Sequence, residues 1–459
     1  MVAMTSWTRE TAAHLYRRAG FGGTPAEIDA LYARGLEGAV SWLVDYESVP
    51  IDQYESTLAS RGYDLQRTVG LQEWFLDRMA FSPRPLEEKL TYFWNLHWTS
   101  GISKVKGETL IYNQNQTERR LAGARFDDLV TAISQDPAML VWLDNATNRV
   151  GRPNENYARE LMELFTLGVG NYSQTDVTEV ARALTGWTVA NYNKATNYNA
   201  ATFTVRNELH DTGVKTILGQ SGNFDGNDAI RIILEHSDAN GSVSGRFLGG
   251  KLWSYFAGRA ADDYVVAELR DVYVSSGRSI RELVRAILLH PEFYEAHTVR
   301  TWVRSPVEFA VASIRMLEAQ SDFSAPANAL AGMGQALFNP SDAKGWDWGA
   351  AWLNTGSLFA RAALANTLAS NRGAAGSRFD ATALLAGADA STSAGVVDAL
   401  ASRLNVEDVS GDVREAWIAY LETNDDGSRG SWHDDAASVD EKVRGLVHVM
   451  LTGPAFQLA

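Results

Sequence analysis

Apolar residues recur at spacings of three and four positions along most of this chain. That spacing matches the period of an α-helix with one buried face, so it predicts a mainly helical protein. Ser305 and Pro306 form a typical helix entrance, because a serine caps the helix and a proline takes its first position. The predicted helices are Thr8–Arg17, Pro25–Ala33, Leu36–Val44, Leu71–Ala80, Leu86–Trp94, Phe126–Ser134, Tyr157–Leu167, Asp176–Leu184, Gly226–Glu235, Val243–Ala257, Asp262–Ser275, Ser279–Leu289, Pro306–Leu317, Leu358–Ser370, Ala394–Leu404, Val413–Leu421 and Ala436–Leu451.

One stretch departs from this pattern. Residues Trp187–Gly219 contain short runs rich in threonine, valine and tyrosine, with asparagines between them. Such runs are typical of short strands and turns, so they predict a small β-hairpin or an ordered loop. The chain has no internal repeat and no linker that would divide it. We therefore predict a single compact multi-helix domain over residues 1–459, with a small β-hairpin or loop insertion near 187–219.

Composition narrows the classes of function. The chain has 459 residues, 45% of them hydrophobic, which is enough for a sizeable core. Its formal net charge of −15 disfavours nucleic acid and anionic lipid as partners, because like charges repel. The absence of cysteine excludes disulfides, thiol catalysis and cysteine-ligated metals. We find no signal peptide in the first residues and no apolar run of the roughly 18 residues that a transmembrane helix needs.

Tryptophan is unusually frequent, with 14 residues in the chain. Several of them stand among polar or glycine-rich neighbours, namely Trp94, Trp98, Trp142, Trp187, Trp253, Trp346, Trp348 and Trp352. Indole rings pack in protein cores, but they also stack against sugar rings and cations. The tryptophans therefore leave two interpretations open, structural packing and ligand contact.

The most informative segment is Asn154–Gly168, which combines a helical pattern with many polar residues. Its apolar residues fall on one face, and Asn156, Glu160 and Glu163 form a polar stripe beside that face. Glu160 lies nearest the boundary between the two faces. Partial desolvation there raises the pKa of a carboxyl group and suits it to general-acid catalysis.

A second predicted helix follows this segment. Ser173 and Asp176 have the spacing of a capping box, and the first turn of a helix favours the ionised form of Asp176. Glu179 and Arg182 are three positions apart, where opposite charges pair. Glu160 with a raised pKa and Asp176 with a lowered pKa would form an acid–base pair if the two helices meet in one pocket. The structural alternative is that the carboxylates of both helices pair with arginines and that Asp176 only caps its helix.

Two histidines are further candidates for ligand contact. His97 lies between Trp94 and Trp98 at the end of an apolar helix, and His210 precedes Asp211 in a polar turn. Each is equally compatible with a buried structural role. No set of histidines has the spacing of a metal site, and the motifs of dinucleotide-binding, phosphate-binding and α/β-hydrolase folds are absent. We therefore expect no metal and no cofactor.

These motifs together resemble the bacterial family catalogued as domain of unknown function 1800. The resemblance covers nearly the whole chain and includes the segments His14–Gly22, Phe93–His97, Asn154–Gly168, Asp176–Trp187, His210–Gly219, Ser305–Phe309, Leu337–Trp346 and Ala351–Thr355. It implies little about activity, since the family was defined without a known role. Members often read Phe-Trp-His-Asn-His where this chain has Phe93-Trp-Asn-Leu-His97, which argues against a two-histidine metal site there. Many members also look exported, so the compartment stays open.

The residues favour a hydrolase acting on a polysaccharide, namely a glycoside hydrolase with a Glu/Asp acid–base pair. Glu160 is the expected general acid, and Asp176 or Glu179 the expected base or nucleophile. The residues expected to contact the substrate are Trp94, His97, Asn156, Glu163, Trp187 and His210. The expected partner is a carbohydrate polymer or oligosaccharide, and the oligomeric state stays open. Two alternatives also stay open, a non-catalytic module that binds glycan or protein and a cofactor-dependent oxidoreductase.

Overall fold

The computed structural model describes residues 6–193, 198–424 and 426–459, and helices dominate these ranges. The mainly helical fold predicted from the hydrophobic pattern is therefore confirmed. The α-helices are α1 (Arg9–Gly20), α2 (Pro25–Tyr32), α3 (Gly35–Val44), α4 (Asp52–Ser60), α5 (Thr68–Phe81), α6 (Pro85–His97), α7 (Ile102–Val105), α8 (Glu108–Arg120), α9 (Phe126–Ser134), α10 (Pro137–Trp142), α11 (Asn156–Glu160), α12 (Gln174–Ala183), α13 (Gly226–Glu235), α14 (Val243–Ala257), α15 (Asp263–Ser275), α16 (Ile280–Leu289), α17 (Pro306–Met316), α18 (Ser324–Gly332), α19 (Thr355–Ser370), α20 (Ala381–Leu384), α21 (Ser393–Arg403), α22 (Gly411–Leu421), α23 (Ala436–Ser438), α24 (Arg444–Thr452) and α25 (Pro454–Gln457).

The predicted bounds are exact both for an amphipathic helix and for a largely buried one. Helices α13 and α14 have the predicted bounds. The hydrophobic pattern does not predict α8, because much of its buried surface comes from polar residues. Gln114, Asn115, Glu118 and Arg119 are all buried there. Burial of polar groups leaves no periodic apolar signal in a sequence.

Short strands form three antiparallel hairpins in the described ranges. The pairs are β1 (Trp187–Ala190) with β2 (Thr202–Val205), β3 (Lys215–Ile217) with β4 (Gln220–Gly222), and β5 (Ser237–Asp238) with β6 (Gly241–Ser242). The first two hairpins form the predicted insertion, and the second of them ends slightly beyond it, at Gly222. Positions 194–197 of the insertion lie outside the described residues.

Helix α6 is buried on every face. All of its residues from Pro85 to His97 are buried, and helices α1, α3, α5 and α8 pack around it. It belongs to a hydrophobic cluster that includes residues from Leu15 to Phe456. None of the helices in the described ranges has both the length and the apolar composition that crossing a bilayer requires.

Two charged residues of α6, Glu88 and Lys89, are neutralised by neighbouring helices. Glu88 accepts hydrogen bonds at 2.9 Å from the guanidinium groups of Arg78 on α5 and Arg119 on α8. Lys89 donates a hydrogen bond from its amine to Glu308 on α17. An unpaired charge in this position would be very costly, because it would be removed from water without compensation. These ion pairs therefore connect α6 to three surrounding helices.

Replacing Glu88 by glutamine is expected to lower the free energy of unfolding by about 3 kcal/mol, because two buried guanidinium groups lose their shared counter-charge. Guanidinium chloride denaturation followed by circular dichroism measures this change. Asp398→Asn is the control, since it breaks an exposed ion pair with Arg414 and should alter stability little. Equal effects of the two substitutions would contradict a central role for the buried charges.

Candidate functional site

The segment Asn154–Gly168 begins as the predicted α-helix and then changes to the wider winding of a π-helix. Helix α11 ends at Glu160 and continues directly into a π-helical turn, Leu161–Thr166. Glu160 and Glu163 stay partly exposed, whereas Phe165 is buried. Turns of this kind are rare, and they occur frequently at functional sites. The π-helical turn therefore marks this segment as a candidate site on structural grounds.

Two side chains from other helices cap the π-helical turn. The end of a helix leaves carbonyl groups without partners inside the helix and with partial negative charge. Nε2 of His97 donates to the carbonyl oxygen of Phe165 at 3.1 Å, and Nζ of Lys251 lies 3.4 Å from that of Leu164. Desolvation lowers the pKa of His97 well below its usual value, so its ring is neutral with the proton on Nε2. The observed role of His97 is thus to hold the segment that carries Glu160.

The carboxylate of Glu160 has no bonded partner in the described part of the chain. Among the described residues, no group donates a hydrogen bond to it and no cation forms an ion pair with it. The neighbouring Arg159 donates instead to Glu155 at 3.2 Å and to Gln174 at 2.9 Å. Burial raises the pKa of Glu160, as expected from its position at the boundary between the two helix faces. The structural alternative was that Glu160 pairs with an arginine. In the described residues, the nearby Arg159 binds Glu155 and Gln174 in its place.

Two further carboxylates affect the pKa of Glu160. The charges of Glu163 and Asp342 both raise its pKa, against an opposing effect of Arg159. Glu163 is oriented by the hydroxyl of Tyr172, which donates to it at 2.6 Å. Asp342 comes from a part of the chain far away in sequence, and no local pattern around Glu160 could have indicated it.

The loop that carries Asp342, residues 338–348, is fixed to the end of α6. The hydroxyl of Thr99 donates to the carbonyl oxygen of Ala343 at 2.8 Å, and the amide of Ile102 donates to the carbonyl oxygen of Phe338 at 2.9 Å. At Gly345 the backbone has a φ of 82°, and an added Cβ would lie only 2.7 Å from the methyl carbon of Thr99. A glycine is therefore required at this close approach of two segments.

Two tryptophans of this loop are partly exposed, namely Trp346 and Trp348. The ring of Trp348 lies edge-on to the rings of Tyr255 and Trp302, each at a centroid distance of 5.9 Å. Its position is thus set by aromatic packing while part of its surface stays accessible. The frequency of tryptophan in the sequence pointed to such residues but could not tell them apart from buried ones.

Asp176 and Glu179 on α12 bind the second hairpin. Asp176 accepts hydrogen bonds from the backbone and hydroxyl of Ser173, as the predicted capping box requires, and from the amide of Leu218 at 2.7 Å. Burial opposes ionisation of Asp176, but these hydrogen bonds outweigh it and lower the pKa. Glu179 pairs with Arg182 at 2.8 Å and accepts from the amide of Thr216 at 3.1 Å. Both carboxylates therefore accept hydrogen bonds from the backbone of β3 and of the turn that follows it.

Trp94 and Asn156 form structural contacts. Trp94 has no exposed surface, and its indole nitrogen donates to the carbonyl oxygen of Ala122 at 2.9 Å. The side chain of Asn156 donates to the carbonyl oxygen of Leu143 at 3.2 Å. Trp94 thus offers no surface to a ligand in this conformation, whereas Asn156 stays partly exposed.

Trp187 and His210 lie at the base of the hairpin insertion. Trp187 is buried against Gly226, where an added Cβ would lie 2.4 Å from the indole. Nδ1 of His210 donates to the carbonyl oxygen of Thr185 at 2.9 Å. Together these contacts join the insertion to helices α12 and α13. They do not bring either side chain into a bond with Glu160.

A buried polar cluster between α6, α8 and α10 was not apparent from the sequence. Burial and the nearby charge of Asp136 raise the pKa of Glu118 well above its usual value. Burial raises the pKa of Asp136 to about 7, although its side chain caps α10. One carboxylate oxygen of Glu118 and the amide oxygen of Asn95 are buried and have no hydrogen-bond partner among the described residues. Within the ranges described, no group of three or more histidine, aspartate or glutamate side chains has an arrangement suited to a metal ion.

Comparison with protein families identifies the chain. Residues 14–458 match the family described as protein of unknown function (DUF1800), and the chain therefore belongs to that family. The family resemblance inferred from the motifs is thus confirmed. Neither the curated proteins nor the solved structures include a match.

Glu160→Gln is expected to stabilise the protein at pH 7 but not at pH 4. Because the pKa of Glu160 is raised in the folded state, its contribution to stability is full below the unfolded-state pKa of about 4.3 and is lost as the pH rises through the folded-state pKa. Glutamine removes this loss. Denaturation curves of both proteins at the two pH values measure the effect.

Glu179→Gln is the matched control for this experiment. Its carboxylate accepts hydrogen bonds from Arg182 and Thr216, so its replacement should destabilise the protein at pH 7. A change in stability for Glu160→Gln that is the same at pH 4 and pH 7 would show that the pKa of Glu160 is not raised.

Proposed function

We propose that this protein is a glycoside hydrolase acting on a polysaccharide or oligosaccharide, with Glu160 as its general acid. The observation that supports this proposal is a partly buried carboxyl group with a raised pKa and no bonded partner in the described ranges. Such a group keeps its proton to higher pH than an ordinary glutamate and can transfer it to a leaving oxygen. A carboxylate with only a structural role would be expected to have a cation or a backbone amide as its partner.

The second carboxylate that glycoside hydrolysis requires is proposed to be Glu163, as base or nucleophile. Its hydrogen bond from Tyr172 orients it, and its charge acts on Glu160. Asp176 and Glu179 are weaker candidates for this role because their carboxylate oxygens already accept hydrogen bonds from the hairpin β3–β4. A separation of about 5–5.5 Å between the two working carboxyls gives retention of configuration, and about 6.5–9.5 Å gives inversion.

Carbohydrate is the proposed class of substrate because of the loop 338–348. Trp346 and Trp348 are partly exposed in the same loop that carries Asp342. The face of an indole ring packs well against the C–H groups of a sugar, and a partly exposed indole near a carboxylate is suited to a neutral polyol. The neighbouring carboxylates of Glu160, Glu163 and Asp342 also favour a neutral or cationic substrate at this position, because like charges repel.

Release of reducing ends from a panel of polysaccharides tests the proposal. Glu160→Gln should lower the rate at least about 100-fold, the usual contribution of a general acid. Glu163→Gln should lower it by a similar factor or more. Glu282→Gln is the control, because it changes a partly exposed glutamate of α16 that pairs with Arg285. Circular dichroism of each variant confirms that the fold is intact.

The same panel distinguishes the main alternative. Release that is equal in the wild type and in Glu160→Gln would contradict the assignment of the general acid. Saturable binding of a glycan with no release by the wild type would identify a carbohydrate-binding module in place of an enzyme.

A further inference from the structure

A polar cavity lies at the start of the motif segment, beside the turn formed by residues 148–154. Its volume is about 710 Å³. Arg149, Arg152 and Arg206 line it, together with Asn154 and Thr188. Three arginines in one cavity are unexpected in a chain with a net charge of −15.

The arginines of this cavity are poorly neutralised. Neither Arg149 nor Arg152 forms an ion pair or a side-chain hydrogen bond with another residue in the described ranges. Nε of Arg206 lies 3.8 Å from a carboxylate oxygen of Glu208, and both side chains are exposed, so this pair is weak. The side chains that line the cavity therefore carry more positive than negative charge.

The acid that lines the cavity does not compensate for this charge. Glu155 accepts hydrogen bonds from Thr178 at 2.7 Å and Gln174 at 2.8 Å, and it pairs with Arg159 at 3.2 Å. These contacts direct its carboxylate towards α12. They also lower the pKa of Glu155, with the hydrogen bond from Thr178 as the largest cause.

The backbone holds two of the arginines on the same side of a rigid turn. Arg149 and Arg152 face each other in an antiparallel bridge, and directly opposed residues of such a bridge project to the same side. The buried Asn148 fixes the turn, since its side chain donates to the carbonyl oxygen of Ala181 at 2.8 Å and accepts from the amide of Asn154 at 2.9 Å. The bridge thus starts both arginine side chains on the same side of the turn, and neither pairs with an acid in the described ranges.

We propose that this cavity binds a ligand with two or more phosphate or carboxylate groups through Arg149, Arg152 and Arg206. Guanidinium groups bind such oxyanions with paired, charge-assisted hydrogen bonds. The volume of the cavity exceeds what a single phosphate or carboxylate group occupies, and three arginines match more than one negative charge. This site is separate from Glu160, and the proposal does not depend on glycosidase activity.

Isothermal titration calorimetry at low ionic strength tests the proposal with two probes, pyrophosphate and trigalacturonate. The first presents phosphate groups and the second presents carboxylates on a sugar chain. At least one of them should bind, and Arg149→Gln/Arg152→Gln should weaken that binding by about tenfold or more. Added sodium chloride should weaken it as well, because the charges are accessible to solvent.

Arg67→Gln is the matched control, since Arg67 is exposed and forms no ion pair in the described ranges. It should bind the probe as the wild type does. Binding of pyrophosphate alone would assign the site to phosphates, and binding of trigalacturonate alone would assign it to acidic sugars. The proposal is overturned if neither probe binds, or if the double variant binds as tightly as Arg67→Gln. The melting temperatures of all variants confirm that each is folded.

Discussion

The neutralisation of charge on helix α6 is the constraint on which the rest of the structure depends. Because this helix is buried on every face, Glu88 and Lys89 need partners from other helices. Arg78, Arg119 and Glu308 supply them, and this requirement fixes α5, α8 and α17 around the centre. The carboxyl end of the same helix leads to the residues that hold the π-helical turn and the loop 338–348. The candidate site is therefore supported directly by the central helix.

The carboxylates near this site fall into two groups with different surroundings. Asp176, Glu179 and Glu155 each bind backbone amides, hydroxyls or arginines, and their negative charge contributes to stability. Glu160 has no such partner among the residues that the structure describes, and its ionisation is opposed by burial and by two neighbouring acids. A folded protein keeps an unfavourable group of this kind when selection acts on something other than stability. This contrast is the physical reason for proposing Glu160 as the general acid.

Local patterns predicted the parts of the structure that local interactions determine. The amphipathic helices, the capping box at Ser173 and the insertion near 187–219 all follow from spacing and residue type. The position of Glu160 at a boundary and the direction of its pKa shift were also predictable. The approach of Asp342 was not, because it depends on long-range packing of a loop against α6. The turn that contains Arg149 and Arg152 was not predictable from the sequence either, because isolated arginines are common in loops.

The attachment of the hairpin β3–β4 has a consequence for amide hydrogen exchange. The amides of Thr216 and Leu218 donate to the carboxylates of Glu179 and Asp176, whereas most strand amides donate to a neighbouring strand. Their exchange rates therefore report whether the insertion is docked on α12, independently of the opening of the helical core. The protein therefore contains two natural probes of the docking of this hairpin on the helix that carries Asp176 and Glu179.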